Sequence, residues 1–256
     1  YYNARQYSEL ILFGEKVALQ FPEKVIIKNI IGAGYTALNQ FSNAINHYKA
    51  ALKLEPKNAE VLNNLGLTFK AIGDLKKANE CFENSISIKP NFAEAFNNMA
   101  LSLKEERKFE KAIISLEKAI ALKNNYAEAY YNLGNVYNLL GELEKSINMF
   151  TRAIDIKSDY FDAYNNLGAV YNLKKDYDKA YQNIQKAISL NPNNADAFNN
   201  LGTSALNLNK EEEAITHFNK ALSIDPASIN AYSNLCGLFE KSNKIEEFEN
   251  ILEKAK

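Results

Sequence analysis

Large and small apolar residues recur along this chain at fixed intervals, and the whole pattern returns every 34 residues. With positions numbered one to 34, repeats begin at Val25, Ala59, Ala93, Ala127, Phe161, Ala195 and Ile229; the last is cut short at Lys256, and residues 1–24 read as the second half of an earlier repeat. Position four is large (Leu62, Phe96, Tyr130, Tyr164, Phe198, Tyr232), and so is position 24 (Tyr48, Phe82, Leu116, Phe150, Ile184, Phe218, Leu252). Positions eight, 20 and 27 are small, as in Gly66, Ala78 and Ser85 or Gly202, Ala214 and Ala221. Positions four, seven, eight and eleven share one face of a helix, and positions 20, 24 and 27 share one face of a second. Turn signals fall between the two faces, at Gly73-Asp74 and Gly141-Glu142. All five prolines, Pro22, Pro56, Pro90, Pro192 and Pro226, stand at position 32, where they end the second helix. Asn58, Asn91, Asn125 and Asn193 follow closely and are placed to start the next helix. A helix pair patterned this way cannot bury its apolar face alone, so neighbours must stack. The expected fold is all-α, a single solenoid of antiparallel helix pairs over residues 1–256.

These columns resemble the tetratricopeptide repeat, whose pattern is a large residue at four, Leu-Gly at seven and eight, Tyr at eleven, Ala at 20, an aromatic at 24, Ala at 27 and Pro at 32. Residues 195–228 match it with Phe198, Leu201, Gly202, Ala214, Phe218, Ala221 and Pro226, whereas residues 25–58 depart from it with Lys28 at position four. The Asn-Asn-Leu-Gly at Asn63, Asn165 and Asn199 is most similar to the repeats preceding the catalytic domain of O-linked N-acetylglucosamine transferase. The resemblance implies a right-handed superhelix whose first helices line a concave groove.

On that implied groove face, position six reads Ile30, Asn64, Asn98, Asn132, Asn166, Asn200 and Asn234. With 35 asparagines in 256 residues, composition alone puts about one in a column of seven. Asparagine is a poor helix former, costing a few tenths of a kcal/mol at each site relative to a good one. Its amide both donates and accepts, so a ladder of them can pair with the backbone of an extended peptide; duplication of one ancestral repeat would also copy it. Position five adds Asn63, Asn97, Tyr131, Asn165 and Asn199 as possible groove residues, or as a solvated polar face. Position two carries Glu60, Glu94, Glu128, Asp162 and Asp196. These acids either favour basic ligands, with Glu94, Glu128 and Asp162 as groove candidates, or serve only to offset the positive helix start. By resemblance, a clamp for acidic chaperone tails needs Lys or Arg at positions two, five and six, so that role is disfavoured.

Net charge is −1, which gives no whole-chain attraction to nucleic acid or anionic membrane. No apolar run is long enough to span a bilayer. Cys81 and Cys236 lie more than four repeats apart, too far for a disulfide in a linear stack. His47 and His217 both fall at position 23, five repeats apart, and read as surface-edge residues that cannot share a metal. No metal, phosphate-loop or nucleophile motif is present, so no cofactor and no catalysis are expected. The cytoplasm is the expected compartment. At the start, Leu10, Leu12, Phe13, Val17 and Phe21 belong to a second helix whose partner is reduced to Tyr1 and Tyr2, so either more chain precedes it or this end docks on something. At the other end, Phe248 at position 20 and the charged Lys244, Glu246, Glu247, Glu249, Glu253 and Lys254 read as a cap. The leading functional expectation is a module that binds an extended peptide or partner segment through the asparagine ladder. The alternatives are a substrate-recruiting segment of a larger glycosyl- or sulfo-transferase, or a scaffold that self-associates through its N-terminal end.

Overall fold

Helices begin wherever the repeat phase puts position one or position 17. The computed structural model describes residues 4–242 and residue 251. It groups the chain into two compact units, Tyr1–Asn125 and Tyr126–Lys256, divided at a repeat boundary. The first unit holds α1 (Ala4–Gln20), α2 (Val25–Ala37), α3 (Phe41–Leu54), α4 (Ala59–Ala71), α5 (Leu75–Ile88), α6 (Ala93–Glu105) and α7 (Phe109–Leu122). The second holds α8 (Ala127–Leu139), α9 (Leu143–Ile156), α10 (Phe161–Leu173), α11 (Tyr177–Leu190), α12 (Ala195–Asn207), α13 (Glu211–Ile224) and α14 (Ile229–Lys241). Within each unit a first helix packs on its own second helix, and both pack on the next first helix. The described residues contain no strand. Tyr1, Tyr2 and the C-terminal cap residues Lys244 to Glu249, Glu253 and Lys254 lie outside the described residues.

The core of each repeat is the place where the second helix drives a large residue into the first. Tyr48, Phe82 and Leu116 in the first unit, and Phe150, Ile184 and Phe218 in the second, are at most 1% exposed. Each such side chain contributes about 1.5–3 kcal/mol through burial. The alanines at positions 20 and 27 are fully buried beside them. A Cβ built on Gly202 would stand 2.6 Å from Cε1 of Phe218, and Gly66 and Gly134 meet Phe82 and Phe150 as closely. The repeat that has Ala100 instead of glycine has the smaller Leu116 opposite.

The pattern under-reads the first helix. Position three (Val61, Ala95, Ala129, Ala163, Ala197, Ala231) is fully buried, and so are Thr68, Ser102, Val170 and Ser204 at position ten. Position three packs on the second helix of the preceding repeat, as Ala197 does on Ala180 and Ile184, and position ten meets its first helix, as Thr68 does at Thr36.

Every described turn between a first and second helix closes the same way. The N–H of position 16 donates to the carbonyl of position eleven at 2.9 Å, as from Asp74 to Phe69 and from Lys108 to Leu103. This end-of-helix motif forces position 15 into the left-handed region. Gly73 and Gly141 take it at φ 81° and 74°, but Asn39, Arg107, Lys175 and Asn209 adopt it too, at 57–65°.

Helix starts correct one expectation. Asn58 does cap α4, accepting from the N–H of Val61 at 3.0 Å. In the later repeats the cap falls one residue after the expected asparagine: Asn194, not Asn193, accepts from Ala197, while Phe92 and Tyr126 replace a polar cap after Asn91 and Asn125. Around α1, Leu12, Phe13 and Leu19 are 61–85% exposed.

The glycine-to-ring contacts generate a test. Helix propensity alone favours alanine over glycine by about 1 kcal/mol. We expect Gly202→Ala to destabilise by about 1–3 kcal/mol instead, because the ring must move. Urea unfolding should show that adding Phe218→Leu recovers part of that loss, copying the natural pairing of Ala100 with Leu116; strictly additive losses would refute the contact.

Candidate interaction surface

Positions five and six are neighbours on the first helix and point toward the seam between repeats. The amide of position six donates back to position five of the preceding repeat, across 35 residues. In the first unit Asn64 Nδ2 donates to Asn29 Oδ1 at 3.0 Å, and Asn98 to Asn63 at 3.0 Å. In the second, Asn200 donates to Asn165 at 3.1 Å and Asn234 to Asn199 at 2.8 Å. Where position five is Tyr131, Asn166 donates to its hydroxyl at 3.2 Å and to Asn135 Oδ1 at 2.9 Å. Asn132, which opens the second unit, is buried.

The ladder residues therefore split into two sets. Asn63, Asn97 and Asn199 at position five are at most 8% exposed, inside the seams rather than on an open face; Asn165 and Tyr131 are half-buried. Asn64, Asn98, Asn166, Asn200 and Asn234 are half-buried at the seam edge. Each spends an amide proton on the preceding repeat. Among the described residues the Oδ1 atoms of Asn98, Asn166, Asn200 and Asn234 accept no bond and are not among the buried unpaired atoms, so they reach solvent as acceptors. The sequence reading pointed to these residues but missed the amide proton each spends on holding repeats together. The legible signal was the adjacency itself, because a period of 34 plus one residue joins column six to column five.

A second polar register runs beside the first, from position 12 of one repeat to position ten of the next. The hydroxyls of Thr36 and Thr68 lie 2.9 Å apart. Ser204 donates to Asn172 Oδ1 at 2.9 Å, and Asn172 Nδ2 donates to the Asn200 carbonyl. Two mismatches in this register account for two buried unpaired atoms. Lys70, which turns to Glu105 at 2.6 Å, offers nothing to Ser102 Oγ, and Val170 offers nothing to Asn138 Oδ1.

The position-two acids sit in the first turn of each helix, where they oppose the helix dipole. Glu60 pairs with Lys89 at 2.7 Å and Glu94 with Lys123 at 3.3 Å; Glu128 and Asp162 are exposed. Beside them lies an aromatic group of the second unit. Tyr131 and Tyr160 have ring centroids 5.0 Å apart, and Lys157 Nζ stands 4.7 Å from the Tyr160 centroid. Burial first, then the neighbouring Tyr131, Glu128, Asp162 and Tyr126, raise the Tyr160 phenol well above its ordinary pKa, so it stays protonated and able to donate.

The histidines differ from each other. His47 Nε2 lies 3.0 Å from Glu15, as an edge residue would, whereas His217 packs against Tyr181 and Phe198 with a buried, unpaired Nε2, and burial lowers its pKa. Burial pushes the Cys81 thiol up to about 11, which leaves it unreactive at neutral pH. The described residues hold no cluster that could bind a metal, and no described helix is long and apolar enough to cross a membrane.

Models of the tetratricopeptide repeat match residues 59–92, 161–194 and 195–228, in the phase read from the sequence; a further model, described as TPR repeat, matches 32–73, 102–141 and 134–175. Among solved structures the chain is similar to MamA, at 30% identity over 63% of this chain and 95% of that one, with a TM-score of 0.59. It is also similar to the APC/C hetero-tetramer Cut9–Hcn1, at 20% identity and a TM-score of 0.76 over 89% of this chain, of whose matched chain it spans 45%. YrrB, described as a TPR protein with an unusual peptide-binding site, matches at 19% identity and a TM-score of 0.60, over 73% of this chain and 96% of that one. No curated protein matches the sequence.

The second register is open to experiment. Val170→Thr places a hydroxyl opposite Asn138 Oδ1, and we expect stability to hold or rise by about 1 kcal/mol. Val61→Thr, at an equally buried site without that acceptor, should cost about 1–3 kcal/mol. Equal losses in chemical denaturation would show that Asn138 does not face position ten of the next repeat.

Proposed function

Because this chain belongs to the tetratricopeptide repeat family, whose members serve as protein-interaction scaffolds, we propose that it holds an extended segment of a partner protein along the first helices of its repeats. The observation that carries this reading is the row of solvent-facing amide acceptors at position six. In the second unit these are Asn166, Asn200 and Asn234, one per repeat. Each is oriented by the bond it donates to the preceding repeat, so little side-chain entropy is lost when a peptide N–H reaches it. An extended peptide presents such N–H groups along its length, and each pairing contributes modestly, about 0.5–1.5 kcal/mol. Affinity then accumulates from backbone contacts, and side-chain preference must come from features beside the row, such as Leu139 and Leu173, equivalent residues one repeat apart and about 60% exposed.

A test must separate gripping a ligand from holding repeats together, because removing position six does both. Two variant sets break the same two seams from opposite sides: Asn200→Ala with Asn234→Ala, and Asn165→Ala with Asn199→Ala. Both should lower the unfolding midpoint. Only the first set should abolish capture of peptides selected by the wild-type chain from a random display library, read by titration well below the unfolding temperature. Equal retention of binding in both sets, or equal loss, would sink the proposal.

A further inference from the structure

Within each unit, position 21 on a second helix is matched with position 11 on the next first helix, 24 residues on. In the first unit these pairs are Ile11 with Tyr35, Ile45 with Phe69 and Asn79 with Leu103; in the second they are Ile147 with Tyr171, Tyr181 with Ala205 and Ile215 with Phe239. Five of the six pairs hold one aromatic ring beside an aliphatic side chain. Where position 11 shrinks to Ala205, position 21 grows to Tyr181, and the two share an apolar cluster. Ile45 and Phe69 share another. Asn79 and Leu103 are the exception. Neither brings a ring, both are buried, and a cleft of about 380 Å³ lies between α5, α6 and α7, lined also by Met99, Glu106, Lys111 and Ile114.

Two further observations say what the cleft lacks. In sibling repeats a lysine covers the ring: Lys77 Nζ stands 5.5 Å from the Phe69 centroid, Lys145 5.1 Å from Tyr137 and Lys179 5.5 Å from Tyr171. Lys111 holds the same position 19 in repeat 93–126, above Leu103 instead of a ring. Each sibling lysine also pairs with an acid three residues earlier, whereas Lys111 has Lys108 there. The second observation is polar. Asn79 Nδ2 donates to Glu106 Oε2 at 2.7 Å, but Asn79 Oδ1 is buried with no partner. An acceptor left that way is costly, and a hydrogen-bond donor entering the cleft would relieve it.

We propose that this cleft receives a tyrosine side chain of a second protein. The ring takes the volume that aromatic residues fill at the sibling seams, between Leu103, Met99 and Ile114, and offers its face to Lys111. The phenol donates to Asn79 Oδ1, while Asn79 Nδ2 stays on Glu106. A phenylalanine would fill the same space and leave the acceptor unpaired. The cleft shares no residue with the position-six row, so this site does not rest on the peptide-groove reading.

The test is titration of the intact chain with p-cresol, the tyrosine side chain as a free molecule, read by the methyl signals of its two methionines. We expect Met99 to shift saturably, with a Kd of about a millimolar, and Met149 in the second unit to stay in place. Toluene, which cannot donate, should bind about fivefold more weakly. Asn79→Ile, which copies the sibling repeats, should bring the two to equal affinity. Leu103→Tyr supplies the ring from within; it should keep the unfolding midpoint level or raise it, and abolish the shifts from both compounds. Displayed peptides that bind the wild-type chain but not Leu103→Tyr should share a tyrosine, and exchanging it for phenylalanine should cost about fivefold. No shift at Met99 up to the solubility of p-cresol, equal affinity for toluene in the wild-type chain, or counter-selected peptides without a shared tyrosine would overturn the site. None of these results touches position six, so the groove reading stands or falls by its own variants.

Discussion

Everything in this protein depends on each first helix closing against both helices of the repeat before it. A helix pair of this length has an apolar face too large to leave in water and too small to bury against itself. The second helix covers one side with its position-24 ring, and the other side must be covered by the next repeat. Small residues at positions three and ten permit that approach, and it brings polar backbone and side chains into a seam where unpaired groups are costly. The amide bonds from position six to position five resolve the conflict. They satisfy polar atoms at the seam edge and fix the register in which one repeat meets the next.

One consequence is that the residues proposed for recognition also hold the stack together. Position six is pulled in both directions: its N–H belongs to the stack and its carbonyl oxygen to the solvent. Such a site resists substitution for stability reasons even where it binds nothing, so the recurrence of asparagine alone does not measure recognition. The departures are more telling. Tyr131 breaks the column, and Asn135 and Asn166 rearrange around it to keep the seam bonded. The substitution is absorbed locally, beside the half-buried Tyr126 and Tyr160.

Helix order and the buried columns were legible because one period is sampled seven times, and packing demands volume at the same places each time. That position eight meets position 24 was not legible from size alone, since Gly168 faces Ile184 as closely as the other glycines face aromatic rings. What escaped were contacts between repeats. The roles of positions three and ten were hidden by small residues, which read as filler. The caps at Asn194, Phe92 and Tyr126 slipped by one residue because two or three polar residues crowd the position-33 neighbourhood and only backbone geometry selects among them. The aromatic group escaped because position 34 lies outside both helical faces. Family membership follows from the matched repeats, while the likeness to transferase repeats adds nothing beyond that membership.

The left-handed residue at each turn leads to a different kind of conclusion. Four of the six are not glycine, and Arg107 and Lys175 lack even the local amide that eases this conformation for asparagine. The flanking hairpins hold them there against their own preference, at roughly 1 kcal/mol each. That strain sits at loops remote in sequence from positions two, five and six. The stiffness of each turn can therefore change through its corner residue without disturbing the bonds at the seams.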